Sequence, residues 1–276
     1  MPLQVLDTKP PQTKLPGRYD GKLGRLKDPQ DQRDYPMARL LSAAPRIRRQ
    51  NARVWLPPLL KNRLDQGRTS SCVEHAITHA VYGFPQPRRQ PVPWPHFALY
   101  RKAQDLDEWP GAEPLYYGTS LRAGLQAATE PWLDLSGVGT APPVIESYYR
   151  VEDYEDLLDL LCADDYSLGC SICIGTDWSN NMFQVDDKGY LFFHPTEVGG
   201  GHAWWLNYAN IKEGVCGGLT SWGTQAKLSG MMQGGGFKLP LSDLRLLWDR
   251  GADGWVIIQP RSPFARIARE VAAALG

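Results

Sequence analysis

The strongest constraint on the fold is the order of two kinds of pattern, a helical one early in the chain and strand-like ones after it. Apolar residues follow Cys72 at intervals of three and four and form one stripe that ends at about Tyr82. Gly83 and Pro85 then stop the helix. The stripe consists of Val73, Ala76, Ile77, Ala80 and Val81. The sequence therefore predicts a helix that begins at Cys72.

Strand-like apolar runs gather in the second half of the chain. Before them, helical patterns alternate with loops between Trp94 and Ala128, one of them starting at about Thr119, and a short acidic helix follows Glu152. The runs lie near residues 170–176, 190–193, 202–208, 215–220 and 254–259. Helices followed by strands are typical of an α+β fold with an antiparallel sheet.

The helix start places a thiol where it can be activated. Ser71 and Glu74 have the spacing of a capping box, which makes Ser71 the N-cap and Cys72 the first helical residue. Unpaired N–H groups and the helix dipole at that position are expected to lower the thiol pKa. An inert cysteine at a helix start is the alternative.

Two further residues complete a nucleophilic site. Gln66 lies six residues before Cys72, and its side-chain amide can join the Cys72 N–H in binding an oxyanion. His202 directly precedes the apolar run 203–206 and can act as general base and acid. If each residue is considered by itself, Gln66 is a turn residue next to Gly67 and His202 is a structural histidine at the edge of a strand. Their pairing with Cys72 favours thiol chemistry.

These motifs resemble those of papain-like cysteine peptidases. In that family, a Gln-Gly-x-x-x-Ser-Cys stretch carries the oxyanion glutamine and the nucleophile, and the histidine precedes a hydrophobic strand, as Gln66, Cys72 and His202 do here. An Asn-Ser-Trp-Gly motif follows in the family and is represented by residues 220–223. Residues 31–36 and 118–122 extend the match. The variant is most similar to bacterial and phage proteins without a secretion signal or disulfides.

The resemblance implies a two-lobe papain-like fold for residues 51–276. The helical lobe would span about 60–165 and the β lobe, an antiparallel sheet or barrel, about 166–262. An extended peptide substrate would lie between the lobes. Trp222 would shield the hydrogen bond of the histidine from water. The resemblance also places Trp222, Gly201, Thr176 and Trp178 near the cleft as substrate contacts. The alternative for Thr176 and Trp178 is a place in the core.

Thr220 departs from the family pattern. The family's asparagine at this position accepts the second N–H of the histidine and orients the ring. The threonine hydroxyl can accept a hydrogen bond but reaches less far. Three interpretations are open: a slower enzyme, an enzyme in which Asn207 or Asn210 orients the ring, and a retired site kept for its fold.

The two ends of the chain have different patterns. Residues 1–50 are rich in proline and polar residues, which predicts an extended arm. In papain relatives such an extension can be an inhibitory propeptide, but the arm lacks a long amphipathic helix, so an arm that binds an assembly partner is the other interpretation. Residues 263–275 read as an amphipathic helix that docks on the body or a neighbour.

Composition excludes several classes of partner. With 30 basic and 30 acidic residues, the chain offers no electrostatic case for nucleic acid or an anionic membrane surface. Neither a membrane span nor a signal peptide is evident, and five cysteines form an odd set, so we expect a protein made in the cytoplasm with reduced thiols. A zinc site of Cys72, His75 and His79 is the less favoured alternative, and the leading interpretation needs no metal or cofactor.

The leading hypothesis is a cysteine peptidase. Cys72 attacks an amide carbonyl of a peptide or protein substrate, His202 moves the proton, Gln66 binds the oxyanion and Thr220 orients His202 imperfectly. Two alternatives stand beside it. One is a structural component of a phage virion, in the tail or tail tip, that uses the fold as a scaffold and would be incorporated there after synthesis. The other is a peptidoglycan-directed amidase in cell entry.

Overall fold

The computed structural model describes the secondary structure over most of the chain. The described residues are 23–29, 31, 34–43, 52–53, 64–82, 98–109, 117–133, 140–141, 143, 145–162, 170–222, 236–258, 265–267, 269–270 and 273. Within them the helices are α1 (Met37–Ala43), α2 (Cys72–Tyr82), α3 (Ala98–Leu106), α4 (Leu121–Ala128), α5 (Tyr154–Leu161) and α6 (Leu241–Asp249), with one 3-10 turn at Asn180–Phe183. None of these helices is long and apolar enough to cross a membrane.

A seven-stranded antiparallel sheet organises the part of the chain that the structure describes. Its strands run in the order β10-β9-β8-β7-β11-β6, and β2 also pairs with β8. Two short pairs lie outside it, β1 with β3 in parallel and β4 with β5. The strands are β1 (Arg25–Leu26), β2 (Ala52–Arg53), β3 (Thr119–Ser120), β4 (Trp132–Leu133), β5 (Thr140–Ala141), β6 (Ser147–Val151), β7 (Cys170–Ser179), β8 (Val198–Asn210), β9 (Val215–Leu219), β10 (Gly236–Pro240) and β11 (Asp253–Ile258).

Alternation along the central strands divides the apolar residues between two cores. On β8, Ala203 and Trp205 pack with helices α2, α3 and α4. Trp204 and Leu206 point to the other face and pack with α5 and α6. Because side chains alternate along a strand, neighbouring residues of one strand serve different cores. The site lies where β8 meets the start of α2.

Several predicted elements are confirmed, with exceptions. The helix at Cys72–Tyr82 forms as α2, and the helix expected from about Thr119 forms as α4, capped by the Ser120 hydroxyl, which accepts from the N–H of Ala123. The strand predicted near 190–193 is wrong, because Tyr190 makes only a single bridge to Lys238. Strands β6 and β10 and helix α6 were not predicted individually.

The described part of the predicted arm is in contact with the body. Residues 25–26 form β1 against β3, and residues 37–43 form helix α1. Leu23 and Met37 are buried in the core that also holds α5 and α6. Residues 1–22, 30, 32–33 and 44–50 lie outside the described residues.

The C-terminal segment also contacts the body where it is described. Residues 265–267, 269–270 and 273 are helical. Ala265 is fully buried in the core, and the Arg269 guanidinium donates to the Glu146 carboxylate at 2.6 Å. These contacts agree with the prediction that the C-terminal helix docks on the body.

Candidate active site

Cys72 begins helix α2 with its thiol against strand β8. The helix is buried along its length, because its apolar stripe packs on the sheet and on α4. The backbone N–H of Ala203, the residue after His202, donates to the Cys72 Sγ at 3.5 Å. Helix α2 and strand β8 therefore meet at Cys72 and at Ala203, the residue next to His202.

The environment of the thiol keeps it protonated. Complete burial raises the pKa of Cys72 to about 11, although the N–H groups of Ala203, Gly24 and Val73 and the charge of Arg25 all lower it. The expectation of a lowered pKa was wrong, because the desolvation of a fully buried thiolate outweighs the favourable dipoles at the helix start. In this state the thiol is a weak nucleophile at neutral pH.

Part of that burial comes from residues 23–29, which we call the strap. The N–H of Gly24 donates to the Gly201 carbonyl at 3.1 Å, and the Gly24 carbonyl accepts from the Thr119 N–H at 2.9 Å. The strap thus bridges β8, the strand that carries His202, and β3, which directly precedes α4. It also passes beside the Cys72 thiol. The Gly24 N–H and the charge of Arg25 both act on the thiol, so the strap is part of its surroundings.

Gln66 is fixed by the segment that follows β9. Its N–H donates to the Ser221 carbonyl at 2.8 Å, and its side-chain oxygen accepts from the Ser221 hydroxyl. The side-chain nitrogen donates to the Thr69 carbonyl at 2.6 Å. A bridge between Asp65 and Trp222 continues this pairing. The first and last predicted motifs of the site are therefore joined by hydrogen bonds.

His202 lies on β8 in an aromatic setting. Its ring centroid is 4.7 Å from that of Trp178 and 4.8 Å from that of Trp222, and the histidine is fully buried. Trp222 also stacks on Phe183 at 5.2 Å. These contacts place the imidazole against two indoles, and the shielding role expected of Trp222 stays a prediction.

Thr220 directly follows β9 and is buried. Its side chain forms no hydrogen bond with any residue that the structure describes. Asn207 and Asn210 lie on β8 itself, roughly 16 Å and 26 Å along the strand from His202 at about 3.3 Å per residue. They are too distant to orient its ring, so the interpretation that used them was wrong. Gly223, the last residue of the motif, lies outside the described residues.

The remaining expected substrate contacts divide into two groups. Thr176 and Trp178 are fully buried behind His202, where the Thr176 hydroxyl accepts from the Trp204 indole at 3.2 Å. Thr176 is the direct partner of His202 in the pairing of β7 with β8, and His202 is equally buried, so their assignment as substrate contacts stays a prediction. Gly201 instead touches the strap, and a Cβ there would lie 2.2 Å from the Arg25 carbonyl oxygen.

The two histidines of α2, His75 and His79, have structural contacts. His75 Nδ1 lies 2.8 Å from the Ser71 carbonyl, and His79 Nε2 accepts from the Leu64 N–H at 3.4 Å. Within the described part of the chain, no three His, Cys, Asp or Glu side chains are grouped as metal ligands.

The sequence pattern did not reveal the strap or what holds it. The Arg25 guanidinium forms a buried ion pair with Asp253 at the start of β11. The Asp28 carboxylate accepts from the Trp255 indole at 2.9 Å and from the Arg122 N–H at 3.1 Å. One signal could have indicated the strap. Residues 31–36 and residues 118–122 both match the family pattern, and these two segments flank the contacts that hold the strap.

Solved structures with a similar fold are cysteine proteases. Xylellain, a cysteine protease from Xylella fastidiosa, shares 18% sequence identity at a TM-score of 0.62, over 88% of this chain and 98% of its own. Procathepsin B S9 from Trypanosoma congolense shares 11% at a TM-score of 0.52, over 84% and 85%. Neither protein-family models nor curated protein sequences give a match. The α+β, papain-like fold expected from the motifs is confirmed.

Proposed function

We propose that the chain is a thiol hydrolase that cleaves peptide bonds through an acyl-enzyme. The Cys72 thiolate attacks the carbonyl carbon, and His202 takes the thiol proton and returns it to the leaving amine. Water then attacks the thioester, gives one proton to His202 and releases the acid, while the thiol is restored. The Cys72 N–H and the Gln66 amide stabilise the oxyanion in both steps.

The observation that carries the proposal is the convergence of separate motifs on one thiol. The residue after His202 contacts the Cys72 sulfur, while Gln66 is bonded to the segment of Thr220 and Trp222. A cysteine needed only for packing requires none of these partners. The names of the structural neighbours, both cysteine proteases, agree with the assignment.

Turnover requires the strap to leave. Cys72 and His202 are both fully buried, and the Gly24 N–H lies beside the sulfur. Removal of the strap would hydrate the thiol and so reduce the largest cause of its raised pKa. The described state is therefore a closed one, and the open state is the active one.

The test is digestion of unfolded casein by the full chain carrying Gly24→Ala, which unseats the strap, with fragments identified by mass spectrometry. A second chain with Gly24→Ala and Cys72→Ser is the matched control. Fragments are expected from the first chain alone. Fragments from both chains would show a contaminating protease, and none from either would contradict the proposal. Replacement of His202 by alanine should reduce cleavage about as strongly as loss of the thiol.

A second candidate function, an interaction protein with a retired site, has two observations in its favour. The thiol pKa is raised to about 11, and Thr220 forms no hydrogen bond with a described residue. This candidate predicts that alkylation of Cys72 in the unseated chain does not depend on His202. Its more specific form, a phage virion component, stays a prediction, as does the separate alternative of a peptidoglycan-directed amidase.

A further inference from the structure

We propose that Thr69 is a positioning residue for the oxyanion site, because its hydroxyl fixes Gln66 relative to the start of helix α2. The inference rests on the proposed function, since it takes the Gln66 amide to be an oxyanion donor. It adds a residue that acts through the glutamine and not on the substrate.

Gln66 and Thr69 hold each other through hydrogen bonds across one turn. The Gln66 carbonyl accepts from the Thr69 N–H at 3.1 Å and from the Thr69 hydroxyl at 2.6 Å. In return, the Gln66 side-chain nitrogen donates to the Thr69 carbonyl at 2.6 Å. Gly67 lies inside this turn with a φ of 60°, a conformation that favours glycine. A shift of Thr69 would therefore shift the amide that is expected to bind the oxyanion.

The Thr69 hydroxyl also joins this turn to helix α2. Its oxygen lies 2.7 Å from the Ser71 Oγ, which in turn lies 3.3 Å from the His75 Nδ1. A hydroxyl has one proton, and that of Thr69 goes to the Gln66 carbonyl, so the Ser71 hydroxyl must donate to Thr69. For the same reason Ser71 accepts from the His75 Nδ1–H. The hydrogen bonds thus run in one direction from the first turn of α2, which holds Cys72, to Gln66.

An oxyanion donor is effective only if its position is fixed before the reaction. The Gln66 side-chain oxygen accepts from the Ser221 hydroxyl, its nitrogen is held by Thr69, and the residue is 1% exposed. An amide nitrogen carries two hydrogens, so it can donate to the Thr69 carbonyl and to an oxyanion together. Loss of the Thr69 hydroxyl should therefore weaken stabilisation of the transition state and leave binding of the substrate little changed.

The end of helix α4 repeats the same local pattern away from the site. Thr129 donates to the Gln126 carbonyl from its N–H at 3.1 Å and from its hydroxyl at 2.7 Å. Thr69 and Thr129 both follow a glutamine by three residues, and both are partly exposed. Thr129→Val is therefore a matched control for Thr69→Val, because it removes a comparable hydrogen bond that does not lead to Gln66.

The first experiment measures kcat and KM for digestion of labelled casein by the full chain with Gly24→Ala, with and without each threonine variant. Thr69→Val should lower kcat about tenfold and change KM less than about twofold, as expected for a partly lost oxyanion donor. Thr69→Ser keeps the hydroxyl and should restore most of the loss, while Thr129→Val should have no effect. An unchanged kcat in Thr69→Val, a serine variant as slow as the valine variant, or an equal loss in Thr129→Val would overturn the proposal.

A second measurement needs no turnover and uses the chain with its natural Gly24. Hydrogen exchange of the Gln66 side-chain amide, followed by NMR, should become about tenfold faster in Thr69→Val, because the turn that holds the amide has lost a hydrogen bond. Thr69→Ser and Thr129→Val should leave the exchange rate unchanged. Thr69→Ala also lacks the hydroxyl and takes the place of Thr69→Val if the valine variant does not fold. The same exchange rate with and without the hydroxyl would overturn the proposal.

The two measurements together separate this proposal from the proposed function. Faster exchange in Thr69→Val, in a protein of which no variant cleaves casein, would support the placement of Gln66 by Thr69 and contradict hydrolysis. Cleavage that depends on Cys72 but proceeds with the same kcat in Thr69→Val would support hydrolysis and contradict the role given to Thr69.

Discussion

Asp34 and Arg122 form a bidentate ion pair that fastens the segment before α1 to the second residue of α4. The guanidinium donates to the two carboxylate oxygens at 2.7 Å and 2.6 Å. Arg122 also donates to the Pro29 carbonyl at the end of the strap, and Arg150 adds a contact to Asp34 at 3.0 Å. The strap is therefore held at one end by Asp253 and at the other by this pair.

We expect Arg122→Lys to destabilise the protein by about 1–3 kcal/mol, because a lysine cannot reproduce the fork geometry at a site where both side chains are largely buried. Urea denaturation followed by circular dichroism measures the change. Arg245→Lys is the matched control, since Arg245 also contacts both oxygens of a carboxylate, that of Asp249, but the pair is about half exposed. Its expected cost is below about 0.5 kcal/mol. Equal effects at the two sites would contradict the role given to Asp34.

We expect Gly24→Ala to unseat the strap. A Cβ at this position would lie 1.9 Å from the Ser70 carbonyl oxygen and 2.6 Å from its carbon, and backbone atoms have little freedom to move aside. The thiol should then become solvated, so the pH at which Cys72 reacts half-maximally with iodoacetamide should fall from about 11 toward the ordinary cysteine value of about 8.5.

Lys27→Ala is the control for the strap variant, because Lys27 is an exposed strap residue. Its alkylation profile should match that of the unaltered chain. Intact mass with peptide mapping assigns the label to Cys72. An unchanged profile in Gly24→Ala would show that the strap does not limit access to the thiol.

We expect strap closure to weaken as pH rises through about 6. Burial, followed by the charge of Asp253, raises the pKa of Asp28 to about 6, while Trp255 and Arg122 act in the opposite direction. The closed state therefore favours protonated Asp28. The favourable contribution is complete below the ordinary carboxyl pKa of 3.8 and is lost above 6.

Asp28→Asn tests this pH dependence, because the amide stays neutral at every pH and can still accept from the Trp255 indole. Compared with the unaltered chain, the variant should slow hydrogen exchange of the strap amides at pH 7.5 and differ little at pH 4.5. Arg25, Asp253, Arg122, Asp34 and Arg150 are the other charged groups of this cluster and are unchanged in the variant. A difference that is the same at both pH values would contradict titration of Asp28.

Local patterns were sufficient for the elements that carry the chemistry. The apolar stripe after Cys72 predicted α2, and the apolar run after His202 predicted the core of β8. Alternation of side chains along β7 predicts that Trp178 points into the protein, where it is fully buried. Its expected place near the cleft came from the family pattern, and in the structure its ring lies 4.7 Å from that of His202.

The strap could not be predicted, because it depends on contacts between residues far apart in the chain. Gly24 contacts Thr119 and Gly201, and nothing around Gly24 forms a periodic pattern. The thiol pKa was misjudged for the same reason. The helix start alone favours a thiolate, whereas the burial that reverses this preference comes from distant segments that pack over Cys72.

We expect Thr220→Asn to raise the turnover of the unseated Gly24→Ala chain about tenfold or more, because a longer side chain with an amide oxygen can accept the second N–H of His202 and hold its productive tautomer. The gain should lie in kcat, with KM little changed, since the substitution acts through His202 and not on the peptide. Thr196→Asn is the matched control, as Thr196 lies 3.0 Å from the ring of exposed His194 and should have no effect. If Thr220→Asn leaves kcat unchanged while His202→Ala abolishes cleavage, another group already orients the imidazole.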